Sequence, residues 1–220
     1  QSYGLAKRMK HTGIQKLLLG LSGGLDSTLA LLVCLETCRI LERSPSVILA
    51  IGMPGFGTTD RTKKNAENLA KITGVQYKLI SINESVLLHF KEIGHDPNVF
   101  DSTFENSQAR ERTQILMDIA NKENALVVGT GDLSEIALGW CTYNADQMSM
   151  YNVNSGVPKT LVRFLIEWFA LNKYSGESSK ILTDICNTPV SPELLPSDGE
   201  EISQKSEESI GPYNLHDFFL

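Results

Sequence analysis

The chain has 220 residues, enough for one domain with or without a tail, and 41% of them are apolar, enough to fill a sizeable core. A formal net charge of −6 and an isoelectric point near 5.3 argue weakly against nucleic acid as the main partner, although a local basic site stays open. No apolar stretch reaches the length of a membrane span, and the N-terminus lacks the layout of a signal peptide, so the expected protein makes no membrane contact and is cytoplasmic.

Residues 1–13 read as a short helix, with Leu5 and Met9 four apart and Gly13 as a stop signal. The chain begins Gln1-Ser2-Tyr3 without a Met, as a piece of a longer protein would. Residues 15–20 form an apolar strand that runs into Gly20-Leu21-Ser22-Gly23-Gly24-Leu25-Asp26-Ser27-Thr28. A strand, a glycine turn and a helix start together bind phosphate. The glycines let the backbone approach the ligand, and the free amides and dipole of the helix end favour anions. No Lys follows the glycines, so the loop is not a Walker A loop. Asp26 stands among the phosphate-binding amides and would repel phosphate unless a cation lay between them, a role that suits Mg²⁺. The plainer alternative is a strand-to-helix turn capped by Ser or Asp.

A long helix is expected over 25–43, ended before Ser44-Pro45, and the continuous apolar run 47–51 reads as a strand buried on both faces. The loop 52–60, with three glycines and Pro54, lies at the carboxyl end of that strand, where open α/β sheets bind ligands. It can also cap the next helix, about 60–72, through Thr59 or Asp60. The alternation in 75–80 suggests a strand near a sheet edge. A short helix follows at about 84–93, broken by Gly94-His95-Asp96-Pro97, and His95 reads as a surface loop residue.

Residues 104–123 form a long helix with a polar first half and core residues Ile115, Leu116, Ile119 and Ala120 in its second. Asn106 and Arg110 are four apart and can present an amide and a guanidinium to one ligand, or lie on a solvated face. The fourth strand, 125–129, runs into Thr130-Gly131-Asp132-Leu133-Ser134-Glu135. That segment can supply a second carboxylate to a metal at the first loop, or a capping box from Asp132 to Glu135. Residues 140–154 have no clean period, and their aromatics and amides suit a surface for something flat and polar. Pro158 fits the first turn of a helix at about 158–171. Lys159 at that start opposes the helix dipole, which points to a ligand anion or to a snorkelling surface lysine.

After Asn187 the composition shifts. Three prolines come close together, and 197–209 is acidic and Ser-rich, reading as a mobile segment or lid. The aromatic end, 211–220, should dock on something. The four cysteines form no C-x-x-C and have no His cluster beside them, so a zinc site is not expected; Cys34 and Cys38 read as core, and a reduced compartment fits.

Four strand–helix units in alternation give an α/β fold, a doubly wound parallel sheet with helices on both faces. The S-G-G-L-D-S-T loop resembles that of the pyrophosphate-loop ATPases. The segments Glu105–Arg110, Gly129–Trp140, Asp146–Met150 and Val157–Thr160 resemble NAD synthetase, most closely the synthetase domain of the glutamine-dependent enzyme, from about residue 14 to the end. The resemblance implies an adenine nucleotide alpha hydrolase-like fold, with residues 1–188 as the ATP-dependent domain and 189–220 as its lid-like segment and tail. It implies amidation of deamido-NAD to NAD by ATP and ammonia through an acyl-adenylate, with release of AMP and pyrophosphate.

By the same resemblance, Leu21, Ser22, Gly23, Gly24, Asp26, Ser27, Met53 and Thr130 bind ATP, and Asp26 with Glu135 binds Mg²⁺. Asn106, Arg110, Glu135 and the run Leu138, Gly139, Trp140, Cys141 and Thr142 hold deamido-NAD. Asp26, Glu135, Lys159 and Asp146 are the catalytic group, with Asp146 near the nicotinate and ammonia end and Lys159 facing phosphate. The loop 52–60 and the segment 189–209 are expected to shield the acyl-adenylate from water. A glutaminase domain and a homo-oligomer are the expected partners. The N-terminal glutaminase domain of glutamine-dependent members has no counterpart in these residues, and many such members continue past the Leu-His-Asp-Phe segment at 215–218. A fragment and a free-standing, ammonia-fed enzyme both fit. The rival readings are another pyrophosphate-loop ligase, such as a GMP synthetase ATPase domain, and a non-catalytic ATP-binding module.

Overall fold

The computed structural model describes residues 1–191, 193–196 and 206–220. In chain order the elements are α1 (Ser2–Thr12), β1 (Lys16–Gly20), α2 (Leu25–Ile40), β2 (Ile48–Gly52), α3 (Asp60–Thr73), β3 (Gln76–Leu79), α4 (Asn83–Ile93), α5 (Ser102–Glu123), β4 (Ala125–Gly129), α6 (Leu133–Leu138), β5 (Tyr151–Asn152), α7 (Lys159–Asn172), α8 (Glu177–Cys186), α9 (Ser206–Ile210) and α10 (Tyr213–Phe218). The strands form one parallel sheet in the order β3-β2-β1-β4-β5.

The period of two along each central strand explains the layering. Leu17 and Leu19 of β1 face the same side as Leu126 and Val128 of β4, where α1, α2, α7 and α8 cover them. Leu18 and Val127 face the other side, against Ala120 and Leu116 of α5. β1, β2 and β4 are therefore apolar on both faces, which is why their runs read as continuous rather than alternating. β3 lies at one edge of the sheet, as its alternation suggests, and is largely exposed, with only Tyr77 half-buried. The order reverses at β1: β2 lies on one side and β4 on the other. Ligands of open α/β sheets bind in the crevice that such a reversal opens at the carboxyl ends of the strands.

Several boundaries move for local reasons. α2 stops at Ile40 rather than 43, because Glu42 takes a left-handed φ of 53° and the Arg43 N–H turns back to the Cys38 carbonyl. α5 starts at Ser102 rather than 104, because the Asp101 side chain accepts from the N–H groups of Thr103 and Phe104. α8 and β5 were not expected from sequence. α8 follows a stretch without a marked start, and β5 has two residues, too few for an alternation to show. Cys34, Cys38 and Cys186 are buried, and no cysteine is paired. Burial pushes the Cys34 thiol up. His95 is half-buried, edge-on to Phe90, rather than a plain surface residue.

The tail packs on this same body. Val190 joins the main core and Leu195 packs beside Phe90 and Phe104. The expected lid over 197–209 falls largely outside the described residues, which omit 197–205. The aromatic end does dock, as α10, with Tyr213 buried and Phe218 and Phe219 exposed.

Candidate active site

A cavity of about 820 Å³ opens at the reversal point of the sheet. The loop after β1 forms its floor. Gly23 there has φ 86°, and a Cβ on it would collide with the Thr62 carbonyl of α3, so only glycine fits. The Ser27 hydroxyl accepts from the Ser22 N–H at 3.3 Å, and the Ser22 hydroxyl accepts from the Gly24 N–H at 3.2 Å. Two hydroxyls thus occupy amides that an anion can claim by turning them aside. α2 begins at Gly24 without a side-chain cap among the described residues, so its N-terminal turn stays available to an anion.

Asp26, in the first turn of α2, meets Asp132 and Glu135 from the loop after β4, and one oxygen of each lies within 4.8 Å of the others. Asp132 caps α6 as a capping box: it accepts from the Glu135 N–H at 2.8 Å, and Glu135 accepts from the Asp132 N–H at 3.2 Å. The sequence offered the capping box and the metal carboxylate as alternatives. Glu135 closes the box through Oε2, while its other oxygen, Oε1, points into the cluster and accepts from Lys159, so capping does not use up the carboxylate.

Lys159 fills the centre of this cluster. Its Nζ lies 2.7 Å from Asp26 Oδ2, 2.9 Å from Glu135 Oε1 and 2.7 Å from Asp132 Oδ2. The side chain is 3% exposed, which corrects the surface-lysine alternative. The cost of a cation at a helix start is met by three carboxylates rather than by solvent. Burial lowers the ammonium's affinity for its proton, but Asp26, Glu135 and Asp132 outweigh it and hold Lys159 well above its usual range. Burial, with Asp26 nearby, pushes Glu135 up to about 8. Burial pushes Asp132 up to about 6 against the pull of Lys159.

One ammonium among three carboxylates leaves up to two negative charges uncompensated, and Asp26 Oδ1 is buried with no hydrogen-bond partner among the described residues. That donor set, oxygen-only and carboxylate-rich, suits Mg²⁺. Asn154, wholly buried, ties the two loops together: its Nδ2 donates to the carbonyls of Asp26 at 3.0 Å and Thr130 at 3.1 Å.

The other wall comes from 139–148 and the first half of α5. Gly139, Trp140, Cys141, Thr142 and Asp146 line the cavity, with Asn106 beside them. Asp146 accepts from the Thr142 N–H and is also bonded to the Thr142 hydroxyl. Asn106 Oδ1 accepts from the Tyr143 N–H at 2.6 Å, and Arg110 Nε donates to the Tyr143 carbonyl at 3.1 Å. The two side chains thus share a face, as their spacing implied, and both grip this wall. Arg110 does so from outside the cavity, and Leu138 also lies off its lining. Gly23 shapes the floor without lining it.

The third side joins the 52–60 loop to the chain at 188–191 and 193–195. Wholly buried Gln108 clamps the two: its Oε1 accepts from the Phe56 N–H at 3.2 Å and its Nε2 donates to the Leu194 carbonyl at 2.8 Å. Arg112 donates to the Met53 carbonyl at 3.1 Å, and burial lowers its pKa. Glu193 accepts from the Thr62 hydroxyl at 3.1 Å, and burial pushes it up to about 7.

Of the expected residues, Leu21, Ser22, Gly24, Asp26, Ser27, Met53, Thr130 and Glu135 line one cavity, with Lys159 beneath its floor at the carboxylates. Asp132, Asn154, Gln108, Arg112 and Glu193 were missed. Only Asp132 carried a sequence signal, its capping-box spacing.

A model of the NAD synthase family matches residues 2–220. The chain is 46% identical over 226 residues to the glutamine-dependent NAD(+) synthetase of Mycobacterium leprae (strain TN), covering 100% of this chain and 33% of that protein. It therefore spans about a third of the length of such relatives. Among solved structures, the glutamine-dependent NAD+ synthetase of Acinetobacter baumannii in complex with adenosine diphosphate superposes with a TM-score of 0.75 and 27% identity, over 84% of this chain and 34% of that one. The NMN synthetase of Francisella tularensis, 20% identical, shares the fold with a TM-score of 0.81 over 99% of this chain and 82% of its own. The parallel sheet is of the adenine nucleotide alpha hydrolase-like kind.

Proposed function

The chain belongs to the NAD synthase family, and from that membership we propose that it amidates deamido-NAD to NAD with ATP and ammonia. The observation that carries the reading is the cluster of Asp26, Asp132, Glu135 and Lys159 at the phosphate-loop end of the cavity. A module that only senses ATP needs phosphate amides but not three converging carboxylates.

In this reaction a nicotinate carboxylate oxygen attacks the α-phosphorus of ATP, the α–β phosphoanhydride bond breaks, and pyrophosphate leaves. Ammonia then adds to the acyl carbon, a proton is lost, and AMP departs with the acyl–oxygen bond's electrons. The amides of Ser22 and Gly24 and the start of α2 hold phosphate oxygens once the Ser22 and Ser27 hydroxyls turn away. Asp26 and Glu135, with Asp132 beside them, hold Mg²⁺, which neutralises phosphate charge when bound. Lys159 supplies a fixed positive charge beside that seat and faces the phosphates. Trp140 offers an aromatic face to deamido-NAD between Gly139 and Thr142. Asn106 and Arg110 fix the Tyr143 backbone behind that face. Asp146, anchored on Thr142, stands at the nicotinate and ammonia end. The Gln108 clamp between the 52–60 loop and Leu194 limits the entry of water to the acyl-adenylate.

Residues 1–188 then form the ATP-dependent domain and 189–220 its lid-like segment and C-terminal tail. Ammonia can come from a glutaminase domain, which the length of the relatives accommodates. Association with a second copy finds support in the exposed stripe Leu161, Phe164, Trp168 and Leu171 on α7. No helix among the described residues is long and apolar enough to cross a membrane. The four free thiols fit a reducing, cytoplasmic setting.

The test is NAD formation from deamido-NAD, ATP and Mg²⁺ with ammonium and, separately, glutamine. Turnover with ammonium is the expected result. Absence of turnover together with absence of deamido-NAD binding by calorimetry refutes the reading.

A further inference from the structure

α10 lies off the cavity wall, yet its buried side is pinned to the charged cluster. Asp217 accepts two hydrogen bonds there: from the Ser134 hydroxyl at 2.5 Å and from the Thr160 N–H at 2.7 Å. The Ser134 oxygen in turn accepts from the Lys159 N–H at 2.9 Å. α7 follows Pro158, which gives it no side-chain cap, so the bonds from the Lys159 and Thr160 N–H groups satisfy two of the orphan amides of its first turn. The cap comes from 57 residues away in the chain, and its negative charge suits the helix end. Tyr213, one helical turn before Asp217, is 3% exposed and lies with its ring centre 5.6 Å from Lys159 Nζ. Ser134 itself is wholly buried in the first turn of α6, the helix that carries Glu135. One carboxylate therefore ties together the starts of the two helices that deliver Lys159 and Glu135.

We propose that Asp217 is a positioning residue: through Ser134 and Thr160 it fixes the starts of α6 and α7, so that Lys159 and Glu135 converge on Asp26. This rests on the synthetase reading for its catalytic meaning, while the geometry it predicts does not. The converging groups stand at the phosphate-loop end of the cavity; Asp217 acts only through them. A displacement of about 1 Å in such a constellation can cost on the order of 10²-fold in rate.

The test uses the whole 220-residue chain. Acetic anhydride at a limiting dose, followed by peptide mass spectrometry, reads the access of reagent to the Lys159 amine well below the melting temperature. Asp217→Ala should raise Lys159 labelling at least about tenfold, with labelling of surface lysines such as Lys7 unchanged. Its kcat for NAD formation should fall at least about tenfold, with KM for deamido-NAD within about threefold. Asp217→Asn keeps an acceptor for the Thr160 N–H and lets the Ser134 hydroxyl turn to accept, so it should restore protection and kcat. Leu215→Ala, on the exposed side of α10, should match the parent. Should Asp217→Ala not fold, Ser134→Ala cuts the same link with the loss of one hydroxyl and should also expose Lys159. Labelling of Lys159 at the parent rate in the folded variant overturns the proposal. If the parent makes no NAD, the synthetase reading suffers, and the labelling still decides the role of Asp217.

Discussion

Replacing Lys159 by Met removes the buried cation and leaves its three carboxylates facing one another. Methionine has nearly the volume and reach of the lysine stem, so the cavity term is small and the effect is electrostatic. Breaking a buried ion pair by deleting one partner costs about 3–5 kcal/mol. In a domain of this size each kcal/mol moves the melting temperature by about 2–4 °C, so a loss of roughly 6–20 °C is expected at pH 8. The loss should shrink as pH falls. Glu135 and Asp132 already hold their protons to about 8 and about 6 with the lysine present, chiefly through burial, and without it both rise further. A carboxylate whose folded pKa lies above its unfolded value adds stability below the unfolded pKa and loses it as pH rises through the folded one. The variant should therefore be close to the parent near pH 5 and furthest from it near pH 8. Magnesium chloride at about 10 mM should recover part of the deficit at pH 8, because a divalent cation can take the vacated centre. Thermal unfolding by circular dichroism across pH 5–8, with and without the salt, gives all three readings. A melting temperature at pH 8 within 2 °C of the parent without added metal would mean that the carboxylates do not depend on Lys159, and the account of the cluster would fail.

The other expectations are simpler. Asp26→Asn and Glu135→Gln should each lower NAD turnover by about 10²-fold or more in a steady-state assay with ammonium, and parent-like turnover in either would refute its assignment to the metal. Gly23→Ala places a Cβ against the Thr62 carbonyl at a φ of 86°; it should cost about 1–3 kcal/mol by urea unfolding and weaken ATP binding, and an unchanged midpoint would contradict the tight loop packing. Glu193, held up to about 7 by burial, should add stability below about pH 4.5 and lose it as pH rises to 7. Glu193→Gln should remove that decline and gain about 1–3 kcal/mol at pH 8, part of it offset because Arg112 loses a counter-charge; a parent-like pH profile in the melt would refute the burial argument. Sedimentation at micromolar concentration should show a dimer that Phe164→Glu and Trp168→Glu dissociate, and a monomeric parent would remove α7 as the contact.

What the sequence by itself determined was local. The three apolar runs that became β1, β2 and β4, the alternating run that became β3, the glycine loop before α2 and the box from Asp132 to Glu135 rest on neighbours within a few residues, and periodicity or spacing reports such neighbours directly. The same held for the face shared by Asn106 and Arg110, since a helix fixes residues four apart. Tertiary structure decided the rest. Lys159 looked like a cation in an awkward place until Asp26, 133 residues away, and Glu135 were folded onto it. Asn154 bridges two loops that lie 128 and 24 residues from it, and Gln108 joins chain segments 52 and 86 residues distant. Asp217 caps a helix whose own sequence carries no cap. No local pattern encodes such pairings, because hydrogen bonds and charges act over a few ångströms of space regardless of chain separation. Only the parallel sheet, by bringing the carboxyl ends of β1 and β4 side by side, sets which distant residues meet.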